Sequence, residues 1–495
     1  MYRITTDRAH PLFNTAATRR IEQTAAANLP PYALMQRAGL AVARLAMALA
    51  PHARTVWIAC GPGNNGGDGL EAATQLRLRG KAVVVTWLGT EASAPADSQA
   101  ALARARAAGV AFADAPPTAL TARDLCIDAL LGLGSSRALA GTMATWITAM
   151  NASPAPTLAI DLPTGLQADT GNLAMQSAAD SGYEVNGNTT IEAQNTLCLL
   201  SLKPGLFTGH GRDTAGQVWL DDLGISTVNM PSVPTAQLVG APLPAYRTHA
   251  SHKGSYGDVA ILGGAPGMAG AALLAASAAL NTGAGRVFVG LLDSNSLGVH
   301  PQQPELMFRA PSALPLHALS VVCGCGGGEG VRALLPRVLL EAARLVLDAD
   351  ALNAIAGDTA LQDQLRARAG QGLPTVLTPH PLEAARLLGC STAHIQADRL
   401  GAAQQLADRF ACVAVLKGSG TVIAAPSQLP HINPTGNGRL ATAGTGDVLA
   451  GMVGARLAMG QYAVTAACEA VYAHGRAADG WPADQPLKAS RLART

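Results

Sequence analysis

Short apolar runs recur along the chain, each ending in small or polar residues. Longer stretches follow them, in which apolar positions return every three or four residues. In the first half VWIAC (56–60), AVVVTWL (82–88), LCIDALLG (125–132) and LAIDLPTG (159–166) read as strands running into loops. In the second half DVAILGG (258–264), RVFVGLL (286–292), VVCGCGG (321–327), ARLVLDAD (343–350), TVLTPHP (375–381) and VAVLKGSG (413–420) do the same. Helical stretches such as QADRLGAAQQLADRFA (396–411) lie between them. Continuous apolar strands alternating with helices predict sheets covered on both faces, with ligands gathered beyond the strand C-termini. Periodicity lapses in TVNMPSVPTAQLVGAPLPAYRTHA (227–250), a proline-rich stretch that predicts a connection between domains spanning 1–240 and 245–495.

Composition narrows the class. At 495 residues the chain exceeds one ordinary domain, and 49% hydrophobic residues with 53 glycines suit α/β layers with glycine-rich ligand loops. A formal charge of +2 without a basic block argues against nucleic acid as a partner. No run of eighteen or more uncharged apolar residues predicts a membrane span. The opening MYRITTDRAHPLF lacks the apolar core of a signal peptide, and the eight scattered cysteines read as buried thiols, so a cytoplasmic setting is expected.

Candidate chemistry lies at the strand ends. GPGNNGGDGLEAA (61–73) follows VWIAC, yet no Lys-Ser or Lys-Thr closes it as a Walker loop, and it is not the dinucleotide fingerprint G-x-G-x-x-G. It reads as a tight turn entering a helix near Gly69, with backbone N–H groups turned toward an anionic ligand. Asp128 and Asp161 each follow an apolar run, where a carboxylate is costly without a cation, hydrogen bonds or a chemical task. Asn65, Asp128 and Thr164 form an all-oxygen set suited to a hard cation, which leaves Asp161 for proton transfer.

GPGNNGGDG (61–69), IDALLGLG (127–134), AIDLPTGLQADTG (159–171) and LKPGLFTG (202–209), with LMQRAG (34–39) upstream, together resemble the NAD(P)H-hydrate epimerase family. The resemblance implies a Rossmann-like three-layer fold and interconversion of the (R) and (S) hydrates of NADH and NADPH (NADHX and NADPHX) at C6. It implies a potassium ion (K+) on Asn65, Asp128 and Thr164, the last a threonine where the family usually has serine. Substrate contacts would fall on Asn64, Asn65, Gly66, Gly67 and Asp68 and along Gly132, Leu133, Gly134, Ser135, Ser136, Arg137 and Ala138, with Asp161 as the acid–base carboxylate. Gln194 and Asn195 depart from the family pattern and predict different local packing.

The most informative stretch is NPTGNGRLATAGTGDVLAGMVGA (433–455). TAGTGD turns into a helix, so the backbone N–H groups of Ala443 to Gly446 could hold an anion and Asp447 could take a proton from a hydroxyl attacking phosphorus. Lys417, in the glycine hairpin after a strand, suits a nucleotide phosphate. His380 sits between two prolines. Asp348 and Asp350 share a side only if the backbone stays extended. GGAPGMAGAALLAA, TGAGRV, PELM, LDADALN, TPHPLE, LKGSGT and this stretch resemble, in order over about 250–480, the NAD(P)H-hydrate dehydratase branch of the ribokinase-like superfamily. That likeness implies ADP (or ATP) with Mg2+. The nucleotide would lie at Lys417, Gly418, Ser419, Gly420, Thr421 and Gly446, and the hydrate near His380, Asp447, Ala271 and Gly328. GCGGG (324–328) stands where relatives tend to show GPGLG, and Leu382 stands where glycine is common.

The expected protein is thus α/β, with two three-layer αβα domains joining an epimerase to a nucleotide-dependent dehydratase. It acts on small molecules and is expected to be a homo-oligomer. The alternative is a kinase of a small vitamin precursor fused to a ligand-binding domain. A non-catalytic nucleotide sensor would not need both Asp161 and Asp447.

Overall fold

The structure is a computed structural model describing every residue except 135–138, 175–189, 226–231, 244–245 and 294–297. The described chain forms two compact units: Met1–Thr5 with Pro11–Ala236, and Thr6–His10 with Gln237–Thr495. In chain order the first strands are β1 (Tyr2–Arg3), β2 (His10–Leu12), β3 (Thr55–Cys60), β4 (Ala82–Trp87), β5 (Ala111–Ala113), β6 (Leu125–Ala129), β7 (Thr157–Ile160), β8 (Asn195–Leu199) and β9 (Gln217–Asp221). The sheet of the first unit runs β1-β9-β8-β7-β6-β3-β4-β5. It is parallel from β9 to β5, and β1 pairs antiparallel with β9.

Alternation along β3 shows why this sheet is sandwiched. Val56, Ile58 and Cys60 pack into one core with Leu70 and Leu76 of the helix Asn64–Leu78, whereas Trp57 and Ala59 pack on the opposite face with Trp146 and Ile147. Both faces are buried, so the strand must be apolar throughout. Chain order reverses between β3 and β6, which are neighbours with Cys60 opposite Ala129. A crevice opens beyond the strand ends at such a reversal, and the loops starting at Gly61 and Leu130 enter it.

The helix after β3 begins at Asn64, not near Gly69. None of its glycines has a positive φ. They serve close approach instead: a Cβ on Gly66 would lie 2.0 Å from the Gly61 carbonyl oxygen, and one on Gly69 would lie 2.5 Å from Ala129 Cβ. The glycine density that suggested a turn therefore lets a helix start directly against the sheet.

The second unit adds β10 (Ala236–Leu238), β11 (Asp258–Gly263), β12 (Arg286–Leu291), β13 (Met307–Phe308), β14 (Ser320–Cys323), β15 (Arg344–Leu347), β16 (Thr375–Leu377), β17 (Val413–Leu416), β18 (Val422–Ala424) and β19 (His431–Ile432). The sheet order is β13-β12-β11-β14-β15-β16-β17-β18-β19-β10-β2, parallel as far as β17 and antiparallel through β18 to β19. Leu262, Val321 and Leu345 pack on one face, and Ile261, Val322 and Val346 on the other. Order reverses again, between β11 and β14, where Gly264 N donates to Cys325 O (3.0 Å) and Ala265 N to Gly326 O (2.7 Å). Two α/β units of the expected class result.

The stretch 227–250 is not merely a connection. It contains β10, whose Gln237 and Leu238 pair in parallel with His431 and Ile432, and Ala241 N donates to Asp7 O (3.3 Å). Three residues are too short to show a period.

Candidate functional sites

In the first unit a cavity of about 320 Å³ opens at the sheet reversal. Asn64, Asn65 and Asp68 line it, as do Leu130, Gly132, Leu133 and Gly134, Asp161 and Lys203, and Glu22 from the helix Thr15–Ala27. Gly66 and Gly67 do not line it; the latter packs against Ser98 and against Met35, which does. Ser135, Ser136, Arg137 and Ala138 lie outside the described residues.

Asp161 directly follows β7 and adopts φ +67°. That left-handed backbone costs an L-residue about 1–2 kcal/mol, and it turns the side chain back toward β8. There Oδ1 accepts from Leu199 N (3.2 Å) and from the ammonium of Lys203, which also donates to Leu199 O (2.9 Å). Lys203 is fully buried. It lies in the quoted LKPG segment but received no role from the sequence, because a lysine after a strand reads as a surface charge until its burial is seen.

Two further carboxyls share this cavity. Burial, then the Asp161 charge, raises Asp68 well above the usual carboxylate range, and the same two causes raise Glu22 while Lys203 opposes them. Glu22 is placed by Thr18, one turn earlier on the same helix face, whose hydroxyl meets Ser201 Oγ at 2.8 Å.

The oxygen set predicted for a cation gathers around the loop 130–132. Asp128 is fully buried and accepts from Leu130 N (3.1 Å), Thr164 N (2.8 Å) and Thr164 Oγ1 (2.7 Å). Burial nonetheless pushes it up to about 6 against those hydrogen bonds. Thr164 Oγ1 also accepts from Leu131 N (3.0 Å). Asn65 Oδ1 would lie 3.3 Å from a Cβ on Gly132, and the Asn65 Nδ2 is buried without a hydrogen-bond partner. The ligand atoms a hard cation would use here are oxygens, Asn65 Oδ1 and those of Asp128 and Thr164, whereas the orphaned Asn65 Nδ2 is a donor and no ligand. The departure at Gln194 and Asn195 is local: Gln194 Oε1 caps the Thr157 N–H, and Asn195 Oδ1 accepts from Trp219 Nε1 (3.1 Å).

In the second unit the helix Thr445–Ala458 starts behind Gly444, whose φ is +88°. His474 fixes that start, its Nε2 2.9 Å from Thr445 O, and burial lowers the ring to about 4. Asp447 occupies the first helical turn. Burial, followed by the Asp348 charge, raises it to about 6, while the Cys325 thiol and Lys417 pull it down.

The carboxylates of Asp348 and Asp447 and the thiol of Cys325 each offer an atom within 4.8 Å of the others. The cation already bonded there is Lys417, whose Nζ donates to Asp348 Oδ1 (2.8 Å). A buried thiol is a poor magnesium ligand, and the ammonium takes the carboxylate, so these three residues do not form a magnesium cage. Asp348 and Asp350 diverge because the helix Ala349–Ala356 starts between them with Ala349 at φ +49°. Asp350 Oδ2 accepts from Gly328 N instead (2.8 Å).

Gly328 (φ +52°) belongs to a loop packed on Met268 and Ala265, and a Cβ on Gly326 would lie 2.9 Å from that of Ala271. GCGGG therefore keeps the small residues against the start of the helix Ala269–Thr282. Lys417 to Thr421 form the turn between β17 and β18, with Gly418 and Gly420 at positive φ and Thr421 Oγ1 donating to Gly418 O (3.2 Å). Buried Arg399 supports this turn from beneath, reaching Leu416 O and Lys417 O (both 3.3 Å).

His380 has both ring nitrogens engaged. Nδ1 accepts from Leu382 N (3.1 Å) and Glu383 N (3.4 Å), capping the helix Pro381–Leu388, and Nε2 lies 3.1 Å from Glu383 Oε1. Leu382 is an exposed residue of that helix, so a side chain there is accommodated. Sequence reasoning passed over Glu383, although a glutamate three residues after a cap is a legible capping-box signal.

Residues 31–205 match the family model for the YjeF-related protein N-terminus, and residues 259–495 match that for NAD(P)H-hydrate dehydratase. The chain is 38% identical over 491 residues to the bifunctional NAD(P)H-hydrate repair enzyme Nnr of Escherichia coli K12, covering 95% of this chain and 89% of that protein. The corresponding enzyme of Coxiella burnetii is 34% identical over 482 residues, covering 94% of each. An ADP/ATP-dependent NAD(P)H-hydrate dehydratase from Bacillus subtilis, solved with ATP/Mg2+, is 31% identical with a TM-score of 0.41, over 51% of this chain and 91% of that one. The chain belongs to the family of bifunctional NAD(P)H-hydrate repair enzymes.

Proposed function

We propose that Asp161 and Asp447 carry the two half-reactions of a repair cycle for the C6 hydrates of NADH and NADPH. Residues 1–240 would interconvert the (R) and (S) hydrates, and residues 245–495 would dehydrate the (S) hydrate. The observation that supports this reading is a carboxylate placed at each of the two sites, one paired with a buried lysine and one raised to about 6 at a helix start. A chiral dehydratase pocket accepts one epimer, so the companion activity makes the other accessible.

In the first unit Asp161 is the acid–base group, positioned by Lys203 and Leu199 N. Asn65, Asp128 and Thr164 would hold a potassium ion, which supplies positive charge beside the cavity and favours the ionised form of Asp128.

In the second unit the N–H groups around Gly446 and the turn Lys417–Thr421 are the proposed nucleotide site, with His380, Ala271 and Gly328 on the hydrate side. ADP, or ATP in its place, would supply the phosphoryl group, and Mg2+ would arrive with its phosphates rather than on a protein cage. Asp447 takes the proton of the C6 hydroxyl as that oxygen bonds to the terminal phosphorus and the phosphoanhydride bond breaks, releasing AMP from ADP or ADP from ATP. The C6–O bond then breaks with phosphate leaving, loss of a proton from C5 completes the double bond, and hydroxide never has to leave.

The proposed setting is a cytoplasmic homo-oligomer acting on small molecules; among the described residues no helix is long and apolar enough to cross a membrane. The test is recovery of 340 nm absorbance from mixed hydrate epimers, with ADP and ATP tried separately. Recovery with equimolar phosphate release is expected. A stable phosphorylated product without NAD(P)H would establish the kinase alternative instead.

A further inference from the structure

We propose that Lys417 is the counter-ion that keeps Asp447 ionised for proton transfer, a positioning role beside the contact its turn makes with the nucleotide. The inference rests on Asp447 being the base of the dehydration step. Its first support is where the ammonium goes. Lys417 Nζ bonds Asp348 Oδ1 at 2.8 Å and lies 4.0 Å from Glu383 Oε2, and both carboxylates are buried. Its second support is proximity to the helix start: a Cβ on Gly446 would lie 3.2 Å from Nζ, so the charge rests against the turn that carries Asp447.

The groups around Asp447 make that charge necessary. Asp348 faces it from the end of β15, Asp350 from the next helix, and Cys325 from the loop after β14. Glu383 stands behind Lys417, and His474 stands behind Thr445. Burial pushes the Cys325 thiol well above its ordinary range, and burial also lowers His474 to about 4, so both are neutral at neutral pH. Of these groups only Lys417 is positive. Burial acts against its charge, but Asp348 and Glu383 more than offset that and hold it protonated.

The signs follow. In the unaltered protein the dehydration kcat/KM should fall as pH drops through about 6, where Asp447 takes up a proton. Lys417→Met removes an opposite charge, so this acid limb should move up by about 1–3 pH units, with turnover recovering on the alkaline side. Nucleotide affinity by calorimetry is measured beside the limb, which separates a loss of binding through the turn 417–421 from a shift of the base. Asp348→Asn removes a like charge, so the limb should move down.

The full chain, assayed from pure (S) hydrate across pH, gives the test. A Lys417→Met protein that loses nucleotide affinity while its acid limb stays in place would overturn the counter-ion role and make Lys417 a phosphate reader. If Lys417→Met does not fold, Lys417→Gln decides, since an unmoved limb there also overturns it. Normal turnover in Asp447→Asn would overturn the base assignment itself, whatever Lys417 does.

Discussion

The two units each place a carboxylate and a lysine beyond the C-terminal ends of their parallel strands, yet they wire them differently. In the first, Lys203 bonds Asp161 directly, and the pair is fixed by a left-handed backbone after β7 and by Leu199 on β8. In the second, Lys417 bonds Asp348, and Asp447 feels it only through space. A directly paired carboxylate is held in one orientation. A carboxylate among like charges, with a shared counter-ion, is left near 6, close to the working pH of a general base. The same residue types thus give a fixed acid–base group in one unit and a tuned base in the other.

The sharpest way to break this comparison is to remove each carboxylate. Asp447→Asn should lower the dehydration rate by roughly 10²–10⁴-fold, with nucleotide affinity preserved because the backbone of the turn 443–446 is untouched. Calorimetry beside the NAD(P)H recovery rate checks both. Joint loss of affinity and folded structure would make Asp447 a helix cap instead.

Direct pairing also predicts a difference in stability. Lys203→Met strands a buried carboxylate, at a cost of about 3–5 kcal/mol, so urea melts should show a large loss in the first unit. Epimerisation should fail as well. A Lys203→Met protein as stable as the parent would show that the pair is not held as an ion pair.

Smaller effects sharpen the picture. Replacing potassium by a large organic cation should lower the epimerase rate or the melting temperature of the first unit, because an ion at the proposed site would offset the burial that raises Asp128. Equal rates and equal melting in the two salts would remove the cation site. Fragments 1–240 and 245–495 should each fold and keep one activity. The second of these, however, lacks Gln237 and Leu238, which pair with β19, and Thr6–His10, which belongs to the same compact unit. A fragment starting at 236 should therefore melt higher, by roughly 2–4 °C for each kcal/mol those contacts contribute.

The strand-and-loop plan was legible because buried parallel strands are continuous apolar runs, and those at 56–60, 125–129 and 258–263 need no other signal. Asp128, Asp161 and Asp447 were legible because a carboxylate or a glycine turn after such a run is costly without a purpose. What stayed hidden depends on partners distant in sequence. Lys203 and Arg399 read as surface charges until burial shows otherwise. Glu22 acquires meaning only when Thr18 ties its helix to Ser201. The glycines of 61–69 signal close approach and turning equally, and only the position of Ala129 tells which.

The central claim is that one carboxylate in each unit carries one half-reaction, and mixed hydrate epimers with nucleotide test it in a single trace at 340 nm. With the Asp161→Asn protein, recovery should stop at the (S) fraction, and adding the Asp447→Asn protein should restore the remainder, because each supplies the half the other lacks. Complete recovery by Asp161→Asn alone, at the rate of the unaltered enzyme, or no gain on mixing, would contradict the assignment of the two half-reactions to Asp161 and Asp447.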